Sequence, residues 1–241
     1  MSPKVIVVTG SNRGIGLALA TQFSQRGDTV IATVRSKAKV ADTPLASLAN
    51  VKLVELDADN LATIDSAVDD IEKIAPEGVD ELWNNFAVYN LGESTSVRTV
   101  VPAELQQEFQ INTTAPIYLT SRLLPLLEKR ITKKVVFVSS MAASFDFTKK
   151  FAEMLAQFNA PFVYGASKSA LNMAALYFHL QLNPSGFTIV PIHPGVVLTD
   201  MNPVGQIDTE ESATKMLEVV DAVTAKDDFV LRSYDGSIVA W

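Results

Sequence analysis

Short apolar runs alternate along the chain with longer segments whose apolar residues recur at helical spacing. The runs are Val5–Val8, Thr29–Val34, Val51–Leu56, Val135–Val138, Thr188–Ile192 and Phe229–Leu231, with a further short one ending at Trp83-Asn84. Most are continuously apolar, as parallel strands covered on both faces are. Helix-length stretches separate them: Ile15–Gln25, Ala62–Ile74, Ala103–Leu127, Tyr164–Leu182 and Thr209–Val223. Asp208 and Glu211 have capping-box spacing ahead of the last of these. Pro116 predicts a kink inside Ala103–Leu127, and Pro184 with Gly186 ends the Tyr164 helix. Val88–Val101 carries neither period and reads as a surface loop. Strand–helix alternation from end to end implies right-handed βαβ crossovers. The predicted fold class is α/β, a doubly wound parallel β-sheet with helices on both faces, in one domain over 1–241.

The chain has 241 residues, 48% of them hydrophobic, enough for a full core without staples. Lys and Arg number 20 against 27 Asp and Glu, a formal charge of −7. That balance argues against a general nucleic-acid binder and against an anionic-membrane binder. An anionic ligand would need a local basic pocket. There is no cysteine, which excludes disulfides, thiolate catalysis and Cys-based metal sites and fits a cytoplasmic, reducing setting. Met1-Ser2-Pro3-Lys4 runs straight into the first strand without the apolar stretch of a signal peptide, and no apolar run is long enough to span a bilayer. Of the two histidines, His179 reads as a packing residue and His193 as the maker of a structural hydrogen bond. No cluster has metal-ligand spacing, so no metal is expected.

The first strand is followed by Thr9-Gly10-Ser11-Asn12-Arg13-Gly14-Ile15-Gly16. A strand, a glycine-rich turn and a helix in this order form a dinucleotide-binding Rossmann signature. Gly10 permits the turn, Gly14 lets backbone approach phosphate, and Gly16 allows close helix–strand packing. The helix N-terminus then offers free N–H groups to a pyrophosphate, with Asn12, Arg13 and Ile15 in the same loop. An NAD site usually carries an acid about 20 residues further on. Here that strand ends Val34-Arg35, so Arg13 and Arg35 suit the 2′-phosphate of NADP(H). Arg35 admits a second reading, an ordinary solvated charge. Asp57, past the third strand, either accepts from the adenine amino group or closes a strand-end turn.

Tyr164 and Lys168, in Tyr-Gly-Ala-Ser-Lys, stand one helical turn apart on one face. A lysine ammonium beside a phenol favours the phenolate, so Lys168 is expected to lower the Tyr164 pKa and make it a usable proton donor. A proton donor and a hydride carrier together are what carbonyl reduction needs.

TGSNRGIG at 9–16, Asn112, Ser139-Ser140, Tyr164 with Lys168, and Pro194-Gly195 occur in this order. In these residues the chain resembles the short-chain dehydrogenase/reductase superfamily along essentially its whole length. Asn112-Thr113-Thr114-Ala115-Pro116, Leu123-Leu124-Pro125-Leu126-Leu127 and Tyr234-Asp235-Gly236 with Trp241 are closer to a carbonyl reductase-like subgroup that includes Sniffer and the bacterial C-factor. The resemblance implies a single-domain Rossmann fold. It implies Tyr164 as general acid, Lys168 as its partner and a ligand of the nicotinamide ribose, and Ser140 as holder of the substrate carbonyl. Asn112 would fix a water feeding protons toward Lys168. Pro194, Gly195, Val197 and Thr199 would position the nicotinamide carboxamide, and Asn85 would lie by the adenosine ribose.

Two departures stand out. Where such chains read Asn-Asn-Ala-Gly, this one reads Asn84-Asn85-Phe86-Ala87, so Phe86 either reshapes the cofactor pocket or turns into the core. Ser140 and Tyr164 are 24 residues apart, a long gap whose apolar positions 151, 154, 155 and 158 have helical spacing. Monomeric carbonyl reductases of the resembled family carry an insertion there, which tilts the expectation to a monomer over a homodimer. The sequence thus points to NADPH-dependent reduction of a small-molecule carbonyl, a hydrophobic aldehyde or ketone. Its pocket would be lined by Val88, Met141, Phe145, Phe147, Phe158 and Met201. A catalytically silent NADP(H)-binding regulator and an NAD-linked alcohol dehydrogenase are the alternatives.

Overall fold

A computed structural model describes residues 3–89, 94, 96–153 and 162–241. Among them run β1 (Val5–Val8), β2 (Thr29–Val34), β3 (Val51–Glu55), β4 (Glu81–Asn84), β5 (Lys134–Val138), β6 (Thr188–His193), β7 (Leu231–Ser233) and β8 (Ile238–Val239). They form one sheet in the order β3-β2-β1-β4-β5-β6-β7-β8. Neighbours are parallel except β7 and β8, which are antiparallel. The helices are α1 (Gly14–Gln25), α2 (Ala62–Ile74), α3 (Pro102–Phe109), α4 (Ala115–Glu128), α5 (Phe145–Lys150), α6 (Phe162–Leu182) and α7 (Thr209–Ala222).

Alternate strand residues feed two cores, one on each face of the sheet. Val7, Ile31, Val135 and Phe137 pack with Ile64 of α2, Leu119 of α4 and Leu171 of α6. Ile6, Val8, Val30 and Val136 pack with Leu19 and Phe23 of α1 and Met216 of α7. The continuously apolar strands are therefore covered on both sides. The chain winds outward from β1 to β3, then returns to build the other half from β4, so the order reverses between β1 and β4. The crevice outside the carboxyl ends of the strands at such a reversal is where open α/β sheets bind ligands. No helix among the described residues is long and apolar enough to cross a membrane.

The single helix expected over Ala103–Leu127 is instead α3, a widened π turn over Gln110–Thr114, and α4. The break falls ahead of Pro116, not at it. Pro116 has no N–H to close on the carbonyl of Asn112 four residues back, and the widened bond, from Ala115 N to Gln110 O, falls just ahead of that gap. The last predicted strand, Phe229–Leu231, runs instead over Leu231–Ser233 and turns at Asp235-Gly236 into β8, which the sequence pattern did not show. Glu211 N donates to Asp208 Oδ1 at 2.8 Å, capping α7. The Glu211 carboxylate takes Lys215 at 2.7 Å, in place of the reciprocal capping bond.

Candidate active site

Four loops that leave carboxyl ends of strands converge on the crevice. The first is the glycine loop. Gly10 and Gly14 have φ of +66° and +56°, conformations open to glycine. A Cβ on Gly16 would run into the Gly10 carbonyl and sit 2.7 Å from Asn85 Nδ2, so α1 packs against the loop only because that residue is glycine. A Cβ on Gly14 would meet only Thr199 Cγ2, at 3.7 Å, and otherwise open space. That opening, beside the N-terminus of α1, fits a phosphate. Ser11 N donates to Thr33 O at 3.0 Å and Ser11 Oγ to Val8 O at 2.8 Å, which pins the loop over the end of β2. Asn12 and Ile15 are half-buried beside it.

Thr9, a residue the sequence reading passed over, joins this loop to the end of β4. Its hydroxyl accepts from Asn85 N at 2.8 Å and Phe86 N at 3.1 Å, and its carbonyl accepts from Asn85 Nδ2 at 2.9 Å. Phe86 lies against Gly10 and packs into the α2–α4 core, the second of the two orientations its size allowed. Arg35 is exposed at the end of β2. The Asp57 carboxylate accepts from Asp59 N at 3.1 Å through Oδ1, which makes it a turn residue whose other oxygen is still an acceptor. Arg13 forms an ion pair with Asp200 across the crevice.

Beyond β5, Ser139 and Ser140 part company. Ser139 is buried and donates to Asn172 Oδ1 at 2.6 Å. Ser140 accepts from Ala142 N at 3.1 Å and lies close enough to the Tyr164 side chain to influence its proton. Tyr164 and Lys168 share one face of α6, with Lys168 Nζ 5.8 Å from the Tyr164 ring centre. Lys168 is buried, and Nζ donates to Val138 O at 2.8 Å. The expected effect of this lysine on the phenol is not what the structure has. Burial pushes Tyr164 up to about 12, and the nearby Glu108 and Tyr89 add to the rise while the neighbouring Ser140 opposes it. Burial pushes Lys168 down to about 7. Both charged forms lose water in the crevice, and that loss outweighs any pull between them.

Asn112 sits in the π turn, fully buried. Its Oδ1 accepts from Val88 N at 2.8 Å, and Nδ2 donates to Val88 O at 2.8 Å and Ser167 Oγ at 3.1 Å. The side chain thus clamps the backbone after β4 to α6. Next to the clamped residue, the Tyr89 ring packs on Tyr164 with centroids 5.5 Å apart. Glu108, one helical turn before Asn112, is buried within electrostatic reach of both phenols. Neither Tyr89 nor Glu108 belongs to a recognisable motif; the unpatterned stretch Val88–Val101 held Tyr89, and nothing in the sequence pointed to Glu108.

The fourth loop follows β6. Pro194 O accepts from Ser212 Oγ at 2.6 Å. Gly195 has φ +91°, and a Cβ there would stand 2.6 Å from Ile207 Cδ1. Val197 is buried, and its carbonyl accepts from Asn202 Nδ2 at 3.1 Å. Thr199 N donates to Asn202 O at 3.1 Å, while its hydroxyl accepts from Asn202 N at 3.2 Å and keeps its own proton to donate. The expected hydrogen bond of His193 is absent: both ring nitrogens are buried without a partner among the described residues. Met141 lies in the turn after Ser140, Phe147 packs on Phe151 at 4.7 Å, and Phe145 is largely exposed. Phe158 and most of the expected helix around it fall outside the described residues. Trp241 stacks on Phe229 with ring centroids 5.6 Å apart.

The chain covers 98% of its length in alignment with an uncharacterized oxidoreductase of Schizosaccharomyces pombe, 34% identical and covering 97% of that protein. Two solved structures superpose on it throughout. One is the NADPH-bound carbonyl reductase from chicken fatty liver, with TM-score 0.89, 25% identity and all of both chains covered. The other is the carbonyl reductase Sniffer of D. melanogaster, with TM-score 0.86, 27% identity, and 99% of this chain and 100% of that one covered. The sequence pattern of the short chain dehydrogenases matches residues 4–208, from the first strand through the loop after β6, and to that family of oxidoreductases this chain belongs.

Proposed function

We propose that the protein is an NADP(H)-dependent carbonyl reductase acting on a hydrophobic aldehyde or ketone. The observation that carries this reading is that Tyr164 stands one turn from buried Lys168 and close to Ser140, in the crevice that the glycine loop opens on. Bound nicotinamide dinucleotide would supply the hydride. Ser140 and Tyr164 would hold the substrate oxygen between them, and Tyr164 would give up its proton as negative charge grows there. Lys168 would stabilise the phenolate left behind. The Asn112 carbonyl, to which Pro116 offers no N–H, would hold the water that returns a proton.

Gly10, Asn12, Gly14, Ile15 and Gly16 would cradle the pyrophosphate, with Arg13 and Arg35 on the 2′-phosphate. Asp57 and Asn85 would hold the adenosine. Tyr164 and Lys168 would hold the nicotinamide ribose, and Pro194, Gly195, Val197 and Thr199 its carboxamide. The NADPH-bound state of the chicken reductase supports the cofactor assignment. Val88, Met141 and Met201, the apolar residues expected to line the crevice, would favour an uncharged, hydrophobic substrate.

The test is loss of NADPH absorbance against a panel of aromatic ketones and diketones. Tyr164→Phe is expected to cut turnover by about 10²–10⁴ while NADPH binding, read by fluorescence, survives. Equal rates in the two proteins would defeat the assignment.

A further inference from the structure

Arg13 and Asp200 lie on opposite lips of the crevice: one in the glycine loop, the other directly after Thr199. Their ion pair spans the groove, and the approach of Gly14 to Thr199 shows how near the two loops come. Both side chains are more than half exposed, at 56% and 74%, so either can swing away at little cost. The glycine loop is also fastened on its other side to the end of β2, through Ser11 N and Thr33 O. Arg35 is two residues beyond Thr33 and exposed. Arg13 therefore stands between two destinations: the Asp200 carboxylate on one side, and on the other the position beside Arg35 where a ligand's anion would collect. Without such an anion, two guanidiniums side by side repel, and the carboxylate wins.

We propose that Asp200 is a specificity-determining residue that competes with the cofactor's 2′-phosphate for Arg13. This rests on the reading that Arg13 and Arg35 receive that phosphate. The competition lowers the affinity for NADPH, because Arg13 must leave one anion to meet another. It does not touch NADH, which brings no 2′-phosphate. Asp200 thereby narrows the preference between the two cofactors and speeds release of the phosphorylated one.

The experiment is fluorescence titration of NADPH and NADH into the full chain, the Asp200→Asn variant, Arg13→Ala and the double variant. The Asn variant is expected to bind NADPH about two- to fivefold more tightly, the range of one exposed ion pair, with NADH unchanged. In the Arg13→Ala background the same substitution should have no effect on the NADPH-to-NADH ratio. NADPH binding that is unchanged or weaker in Asp200→Asn, with the wild-type preference for NADPH intact, would overturn the competition alone. The weaker result would mean that the carboxylate orients Arg13 for the phosphate. A wild-type chain with no preference for NADPH, and no response to Arg13→Ala or Arg35→Ala, would overturn the 2′-phosphate reading as well.

Discussion

Lys168 Nζ donates to the carbonyl of Val138, the last residue of β5, at 2.8 Å. The ammonium is buried, and its bond goes to a dipole, not to a carboxylate, so little offsets the lost water. Its pKa falls from 10.5 to about 7. Between those values the unfolded chain holds a proton that the folded chain lacks. Stability therefore rises with pH across that window, and the full penalty applies below it. Lys168→Met is expected to raise the stability of the cofactor-free protein by about 2 kcal/mol or more at pH 7. The gain should shrink toward pH 10. Urea unfolding of both proteins at pH 7 and 9.5 checks it, and a Met variant that is less stable at pH 7 would refute it.

The same residue should set the pH dependence of the proposed reduction. Tyr164, held at about 12, stays protonated through the neutral range and gives no inflection there. Lys168 titrates near 7 and gains its charge as pH falls. Charge on Lys168 favours proton loss from the phenol, so kcat for reduction should rise as pH drops through about 7. Lys168→Arg, permanently charged, should flatten that limb. A limb unmoved by the substitution would place the titrating group elsewhere.

Ser139 and Ser140 provide a test with opposite signs. Ser140 lies beside the Tyr164 side chain, and Ser139 bonds Asn172 inside the fold. Ser140→Ala should lower kcat about 10- to 1,000-fold, with a stability loss of about 1 kcal/mol from the bond it gives up to Ala142 N. Ser139→Ala leaves the buried Asn172 short of a donor and should cost about 1–3 kcal/mol of stability with kcat largely kept. Rates together with melting temperatures of both variants decide it, and the reverse pattern would exchange the two roles.

The sheet, the crevice and the glycine loop were legible because each follows from local chemistry. Continuous apolar runs specify buried parallel strands, and Gly10, Gly14 and Gly16 stand where a side chain would strain or collide. The π turn was half legible: Pro116 marked a break, but which carbonyl lost its donor depends on the helix around it. The clamp of Asn112 on Val88, the packing of Tyr89 on Tyr164 and the reach of Glu108 join segments distant along the chain, and no spacing encodes them. The sign of the Tyr164 shift was misjudged for a related reason. Adjacency of Lys168 shows in the sequence, but the burial that neutralises both groups does not. Phe86, suspect beside the cofactor, turned out to fill core space against Gly10.

His193 makes the last case. Both imidazole nitrogens are buried without a partner among the described residues, and burial pushes the pKa from 6.5 to about 4, against an opposing pull from Asp235. The ring is neutral in the folded state and still carries one N–H with nothing to receive it, a cost of about 1–3 kcal/mol. Below pH 6.5 the unfolded chain binds a proton that the folded chain refuses until about 4. Stability therefore falls as pH drops through that window, by up to about 3 kcal/mol. His193→Leu removes the orphaned donor and the proton linkage together. The variant should match or exceed the wild type at pH 7 and lead by a widening margin at pH 5.5 and 4.5. Urea midpoints at the three pH values measure the margin; one that stays constant with pH would show that another group carries the acid sensitivity.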